Sequence, residues 1–392
     1  MKIYSILVFI ICLLLVSGFA IAEGTNTRYL VKSNNGFLKA QLGIRHNFDN
    51  GFTTDLTKRQ IIALEKFGVD VEEVELYQLL AKPVCGDGKC NGNENADNCP
   101  TDCSGGTDPT PRSCFPSTQT PYGVAMVKGG TGGSGVNVTI LDTGVNKNHL
   151  DLDVKLCKDA TKSGIKNGCS DQNGHGTHVS GTVAANGGAD GKGIFGVAPN
   201  ANLWMVKVCG NSGCWTDDIA EAIRYASNQG ANIISMSLGG DTESLLIKDA
   251  VDYAVSKGVL VIAAAGNDGP ADGSIDYPGA NVNVMAIGAI NAEENVTLWS
   301  SRGINDGDYV IEEKEVEVGA PGVNVESTSQ NGCYTIMSGT SMATPHVAGL
   351  AAKLWQGTAS ATRTYLQNLS KNHDLYSPGD DSATGFGLPI AP

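Results

Sequence analysis

The chain has 392 residues, 41% hydrophobic and 17% charged, with 41 Asp and Glu against 27 Lys and Arg and a formal net charge of −14. This apolar content builds a sizeable core and excludes a disordered chain, and the length accommodates one large domain with one or two small ones. The acidic balance lacks the clustered cations that nucleic acid or an anionic lipid surface requires, so neither is expected as a partner.

Residues 1–22 begin Met1-Lys2, continue with an apolar run from Ile6 to Val16, and end Ala20-Ile21-Ala22 before Glu23. This is the layout of a secretory signal peptide cut after Ala22. An uncleaved anchor is the alternative, but the run is near the lower limit for crossing a bilayer, and no later stretch would cross one. Residues 23–82 read as a small α/β unit. A strand is expected over Arg28 to Lys32 and an apolar stretch near Phe48 to Phe52. A helix rests on Leu56, Ile61, Ile62, Leu64 and Phe67, with Thr57 as cap and Gly68 as stop, and a last strand runs from Val71 to Tyr77.

Residues 83–104 are too few for a core and need staples. Cys85, Cys90, Cys99 and Cys103 supply them, as two disulfides or as a four-cysteine zinc site. Asp87, Asn91, Asn93, Glu94 and Asp97 offer hard oxygens that calcium takes, though not at EF-hand spacing. Residues 105–120, rich in Gly, Pro, Thr and Ser, form a linker. Of the 11 cysteines, Cys12 lies in the leader and ten remain, an even number that fits an oxidising, extracellular or cell-envelope setting. Cys157 with Cys169 and Cys209 with Cys214 form local loops, which leaves Cys114 and Cys333 to pair by elimination.

Residues 121–392 alternate apolar strands with helical stretches: Val136 to Leu141, Leu203 to Val208, Ile219 to Ala226, Ile233 to Met236, Leu245 to Val255, Val259 to Ala265 and Val284 to Ile290. Such alternation implies an α/β fold, a mostly parallel sheet with helices on both faces and reacting groups at the strand ends.

Three runs carry chemistry. Asp142 follows the apolar strand Val-Thr-Ile-Leu and precedes Thr-Gly. One Asp-Thr-Gly does not make an aspartic peptidase, which needs two carboxylates sharing a site. His175 and His178 lie in Asn-Gly-His-Gly-Thr-His-Val. Their spacing of three, with no intervening Glu base, is not that of a zinc peptidase. Ser341 lies in Ser-Gly-Thr-Ser-Met-Ala-Thr-Pro at the start of a small-residue helix. A serine hydroxyl becomes a nucleophile when an imidazole takes its proton and a buried carboxylate holds that imidazole.

The order Asp, His, Ser with these flanks resembles the subtilisin-like serine proteases, or subtilases, from about Pro121 to Pro389. The resemblance implies that Ser341 attacks the scissile carbonyl of a polypeptide, His175 is the base and then the acid, and Asp142 orients it, while His178 is structural. It makes Asn267, after Val-Ile-Ala-Ala-Ala-Gly, the side-chain donor to the oxyanion. Ser237, Leu238 and Gly239 become the edge that pairs with the substrate backbone.

Asp276, in Ser-Ile-Asp-Tyr-Pro-Gly, falls at the base of the primary specificity pocket with Asp268 at its rim. It either pairs with Lys or Arg of the substrate or turns away into solvent. Trp215 either lines a more distant subsite or packs. Asp151 is a candidate ligand of a structural calcium, helped by carbonyls of the loop 186–193; no cofactor is expected for catalysis. Residues 23–82 resemble the propeptide that folds against the catalytic domain and blocks its cleft, a permanent accessory domain being the alternative. Its removal would follow a cut near Ala81 or at Arg112-Ser113; Pro83 disfavours a cut after Lys82. The inserted acidic segment from Asn305 to Glu317 is expected to form a solvated hairpin. The mature protein is expected to be a monomer without stable membrane insertion. A protease-like binding protein would have lost a member of the triad, and none is substituted; an esterase would carry Gly-x-Ser-x-Gly.

Overall fold

A computed structural model describes residues 27–81, 114–210 and 212–392. The leader, the four cysteines of residues 83–104 and Arg112-Ser113 lie outside the described residues. The N-terminal unit contains β1 (Thr27–Val31), α1 (Gly36–Leu42), β2 (Asn47–Phe48), β3 (Gly51–Leu56), α2 (Lys58–Lys66), β4 (Val71–Glu73) and β5 (Leu76–Leu79). The large region continues with α3 (Tyr122–Met126), β6 (Asn137–Asp142), β7 (Val154–Asp159), β8 (Lys166–Asn167), α4 (His175–Ala184), β9 (Asn202–Lys207), β10 (Cys209–Gly210), β11 (Gly213–Trp215), α5 (Thr216–Asn228), β12 (Ile233–Met236) and β13 (Leu238–Gly239). It ends with α6 (Leu245–Ser256), β14 (Leu260–Ala264), β15 (Met285–Ile290), β16 (Val318–Pro321), β17 (Val325–Thr328), β18 (Tyr334–Met337), α7 (Thr340–Lys353) and α8 (Ala359–Ser370).

The main sheet has the order β16-β15-β14-β12-β6-β9-β7-β8. Its first seven strands are parallel and only the edge strand β8 is antiparallel, which confirms the expected α/β architecture. Because side chains alternate along a strand, Ile233 and Ile262 pack in one core with Val179 of α4 and Val347 of α7. Their neighbours Ile234 and Val261 pack in a second core with Ile223 of α5 and Ile247 of α6. Near-continuous apolar strands are therefore buried on both faces.

In the N-terminal unit the antiparallel order is β2-β3-β1-β4. Val31, Phe52 and Leu56 face Leu38 of α1 and Leu64 of α2, whereas Leu30 and Phe48 join the core of the large region. A capping box starts α2: the Thr57 hydroxyl accepts from Gln60 N at 3.4 Å and Gln60 Oε1 accepts from Thr57 N at 2.8 Å. The helix is shorter than its apolar pattern suggests, since Leu56 ends β3 and Ile62 is 56% exposed. The expected strand Val71–Tyr77 is in fact two. β4 completes the small sheet, the chain turns at buried Val74, and β5 enters a different sheet, ordered β10-β11-β5-β13.

Disulfides join Cys157 to Cys169, Cys209 to Cys214 across the β10–β11 hairpin, and Cys114 to Cys333. Residues 305–317 form no hairpin. Asn305 Nδ2 donates to Val316 O at 2.8 Å and to Asp380 Oδ1 at 2.7 Å. Glu317, fully buried, accepts from Arg363 Nε at 2.9 Å and Nη2 at 2.6 Å and from Gln367 Nε2 at 2.8 Å. The inward end of the acidic run is thus neutralised in the interior.

The two units meet at the first turn of α5, where the helix dipole favours Asp217 and Asp218. Arg28 Nη1 lies 2.6 Å from Asp217 Oδ1 and 2.8 Å from Asp218 Oδ1, with its guanidinium over the Trp215 ring at 4.7 Å. Thr53 Oγ1 donates to Asp217 Oδ2 at 2.7 Å and His46 Nε2 lies 2.8 Å from Asp218 Oδ1. Deleting one partner of a buried ion pair costs about 3–5 kcal/mol. Arg28→Ala in a Ser341→Ala background is therefore expected to detach the N-terminal unit about 3 kcal/mol more easily, measured by urea titration of tryptophan fluorescence, because Trp215 loses its cation.

Candidate active site

The carboxyl ends of β6, β12 and β14 open onto one crevice, where parallel sheets place their reacting groups. Asp142 ends β6 with no exposure, and both its oxygens lie 2.9 Å from His175 Nδ1. Oδ1 also accepts from Thr143 N at 2.6 Å. His175 opens α4, and the close approach of that helix to β6 needs Gly176: a Cβ there would lie 2.2 Å from Gly144 O and 3.0 Å from Asp142 Oδ1. Asp171, which the sequence reading missed, fastens the same corner. Its Oδ1 accepts from Thr143 Oγ1 at 2.9 Å and Gly174 N at 2.9 Å, and its Oδ2 from Thr177 Oγ1 at 2.6 Å. An Asx-type motif four residues before His175 is the only sequence signal for it.

His175 Nε2 is buried and has no hydrogen-bond partner among the described residues. Ser341, in the first turn of α7, instead donates its hydroxyl to Ser237 O at 3.0 Å. His178, three residues further along α4, lies 2.9 Å through Nε2 from Val325 O, and burial drives its pKa down to about 3. His346 in α7 is likewise lowered to about 4 by burial. Both imidazoles are neutral packing groups near pH 7.

Pro345 lies inside α7 and has no N–H to give the Ser341 carbonyl four residues earlier. Ser237 Oγ donates to that carbonyl at 2.8 Å, replacing the lost helical bond and tying β12 to α7. Asn267, three residues beyond β14, accepts through Oδ1 from Thr340 N and Thr340 Oγ1, each at 3.1 Å. The amide is oriented by these contacts, and its Nδ2 remains the free donor group.

The crevice already contains a strand of the same chain. β5 pairs antiparallel with β13, Leu79 opposite Leu238 and Gln78 opposite Gly239, and with β11 on its other side, Tyr77 opposite Cys214 and Leu76 opposite Trp215. Beyond β5, Leu80 N donates to Ser237 O at 3.3 Å and Ser341 N donates to Leu80 O at 3.2 Å. Gly339, at φ +142°, leaves room for this segment, since a Cβ there would lie 2.4 Å from Leu80 O. Trp215 thus contributes a strand edge to one neighbour and a ring face to Arg28. Tyr77, three residues before Leu80, is buried in a pocket against Gly240, where its hydroxyl donates to Thr242 O at 2.6 Å.

Asp276 is buried, and its side chain and that of Leu80 both approach Gly239: a Cβ there would lie 2.9 Å from Asp276 Cβ and 3.1 Å from Leu80 Cδ1. Burial, then Asp268 and Asp241, push the Asp276 pKa up to about 7. The sequence placed Asp276 and Asp268 here but missed Asp241, whose signal is only its position two residues past Gly239. Asp151 is distant from this chemistry. Its Oδ2 accepts from Ile194 N and Tyr334 Oη, both at 2.9 Å, and its Oδ1 faces the glycines of the loop 186–193, with a Cβ at Gly193 falling 1.9 Å away. Gln119 reaches the carbonyls of Gly191 and Gly193 in that loop.

A hydroxyl, an imidazole and a carboxylate set around a strand-binding crevice are the equipment of a serine peptidase. Residues 133–387 match the Subtilase family. The chain is 42% identical to a subtilisin of Bacillus sp. (strain TA39) over 95% of its own length and 92% of that protein. It is 40% identical to Subtilisin Savinase of Lederbergia lenta over 68% of its length and 96% of that protein. Among solved structures it is similar to Sphericase at 48% identity and a TM-score of 0.68, covering 70% of this chain and 99% of that one. The S41 psychrophilic protease, at 47% identity, gives the same TM-score and coverage. The chain belongs to the subtilase family and is a serine endopeptidase acting on polypeptides.

The Ser237–Pro345 arrangement is testable by a double-mutant cycle. Ser237→Ala leaves a buried carbonyl without its donor and is expected to cost about 1–3 kcal/mol of unfolding free energy. Pro345→Ala restores an N–H to that carbonyl, so the loss should be smaller in the double variant by an interaction energy of about 1 kcal/mol. Urea unfolding of the four proteins in a Ser341→Ala background measures it.

Proposed function

We propose that the protein is an exported endopeptidase made as a precursor, with residues 1–22 as leader and residues 23–82 as a propeptide that occupies its own crevice. Its first self-cleavage falls between Leu80 and Ala81. The observation that carries this reading is the Leu80 peptide group, held by its N–H on Ser237 O and by its carbonyl on the Ser341 amide. In this reading Ser341 Oγ turns from Ser237 O toward His175 Nε2, gives up its proton there and attacks the Leu80 carbonyl. Asp142 holds the imidazole tautomer and steadies the imidazolium, while Asn267 Nδ2 and Ser341 N receive the oxyanion. His175 then protonates the leaving amine of Ala81, and water, activated by the same imidazole, hydrolyses the ester. Ser237, Leu238 and Gly239 hold the substrate backbone, so a strand of varied sequence fits by β-augmentation. Asp276 gives the primary pocket a site for Lys or Arg, which distinguishes later substrates from Leu80.

The three disulfides among the described residues support an oxidising, extracellular destination. A structural calcium suits the hard-oxygen donors around Asp151: its carboxylate, the Gln119 side chain and carbonyls of the loop 186–193. Such an ion ties that loop to the N-terminal end of the catalytic region and takes no part in the reaction.

The test is mass spectrometry of the purified full chain. Wild type is expected to acquire a new N-terminus at Ala81 and Ser341→Ala to remain uncut. Asn267→Ala should process and turn over peptide about a hundred- to a thousandfold more slowly, the loss known for the equivalent donor of subtilisin itself. Cutting by the Ser341→Ala chain, or a first cut elsewhere, would overturn the assignment. For calcium, chelation is expected to lower the melting temperature of wild type and to leave that of Asp151→Asn unchanged; equal loss in both would discard the site.

A further inference from the structure

The pocket near Leu80 brings together three carboxylates that no cation among the described residues balances. Asp276, Asp268 and Asp241 place one oxygen each within 4.8 Å of the others. Asp276 is 3% exposed, whereas Asp241 and Asp268 are exposed at the rim. Asp276 makes no side-chain hydrogen bond among the described residues, and the charges acting on it, from Asp268 and Asp241, are both negative. The remaining titratable neighbour on β5, Tyr77, is itself pushed above its usual range by burial. Tyr277, next in the chain, is raised by burial and by Glu243 and Glu313. Arg302, on the adjoining segment, turns its guanidinium away to the carbonyls of Ser300 and Thr297. Nothing in this surrounding, among the described residues, stabilises three negative charges at once, and the side chain that approaches Gly239 alongside Asp276 is that of Leu80.

We propose that Asp276, Asp241 and Asp268 form one proton-sharing group that switches the residue accepted before the scissile bond, leucine when the group holds a proton and lysine or arginine when it is ionised. This rests on the reading of Leu80 as the residue before the cut. A buried ionised carboxylate without a partner is costly, so a leucine beside it binds with a proton retained on Asp276. A lysine or arginine supplies the missing cation and displaces that proton to solvent. Asp276 has its pKa near 7, so the exchange falls in the neutral range. The carboxylates thereby let one pocket serve two ends: self-processing at a leucine and, as pH rises, cleavage after basic residues.

The test uses the processed wild-type enzyme and two peptides that differ only in Leu or Lys before the scissile bond. Protonation of His175 affects both peptides alike and cancels in the ratio of their kcat/KM values, and the Lys substrate stays charged throughout. The Lys-to-Leu ratio is expected to rise about tenfold or more between about pH 5.5 and about 8.5 with a midpoint near 7. Asp276→Asn should make the ratio flat and favour Leu. Asp241→Asn or Asp268→Asn should move the midpoint downward, because each removes a repelling charge. A ratio independent of pH in wild type overturns the switch, as does a midpoint that ignores both rim variants. Either result leaves the Ala81 N-terminus to stand or fall by its own measurement.

Discussion

The insertion of Leu76–Leu79 as a middle strand between β11 and β13 is the interaction on which the rest of the arrangement turns. It is made of backbone hydrogen bonds, so it fixes the depth and direction of the chain in the crevice independently of side-chain identity. From that register follow the position of Leu80 O at the Ser341 amide, the burial of Tyr77 near Thr242, and the meeting of Leu80 with Gly239 and Asp276. An antiparallel strand on each side leaves little freedom for any other peptide bond to reach Ser341.

Holding that register demands a crevice floor that does not shift, and the floor is built from backbone groups displaced from ordinary helix bonding. Pro345 denies Ser341 O its helical donor, and Ser237 Oγ supplies the replacement. Ser237 O then receives both the Ser341 hydroxyl and Leu80 N. One residue after β12 thus positions the Ser341 backbone, holds its hydroxyl and pairs with the strand that fills the crevice. The Ser341 hydroxyl is at rest on that carbonyl while His175 Nε2 has no partner. A bond from Ser341 to His175 therefore requires the hydroxyl to leave Ser237 O.

How much of this was legible in the sequence depends on whether a feature has a local signature. Asp142, His175 and Ser341 lie in long motifs because strand ends, glycine approaches and a helix start constrain the residues on either side. Five of the seven parallel strands, β6, β9, β12, β14 and β15, were visible as apolar runs, whereas β7, Val-Lys-Leu-Cys-Lys-Asp and only partly buried, and the short β16 were not. The break between β4 and β5 was not, because Val71, Val74, Leu76 and Tyr77 read as one strand-forming run, while the chain leaves the small sheet after Val74 N donates to Arg28 O at 2.9 Å and β5 pairs with β11 and β13 instead. Helix α1 buries Leu38 alone and so leaves no periodic pattern. The acidic insertion is solvated over most of residues 306–314, as expected, but its end at Glu315 to Glu317 is buried, and the partners of Glu317, Arg363 and Gln367, are some fifty residues away in sequence. Asp171 and Asp241 share that difficulty: their roles exist only once the loops meet.

Buried carboxylates serve opposite ends at the two edges of the crevice. Asp217 and Asp218 are matched by Arg28, Thr53 and His46, all from the N-terminal unit, and by the start of α5. Such a pair is strong while both partners stay, yet its net contribution is limited because each charge recovers its hydration when the units part. The interface is consequently specific without being irreversible. Asp276 is the reverse case. Among the described residues no counter-charge acts on it, and the two charges that do, Asp268 and Asp241, repel it. The acidic balance of the whole chain therefore acts locally at the crevice, in one place paired with cations and donors of the N-terminal unit and in another left without a counter-charge among the described residues.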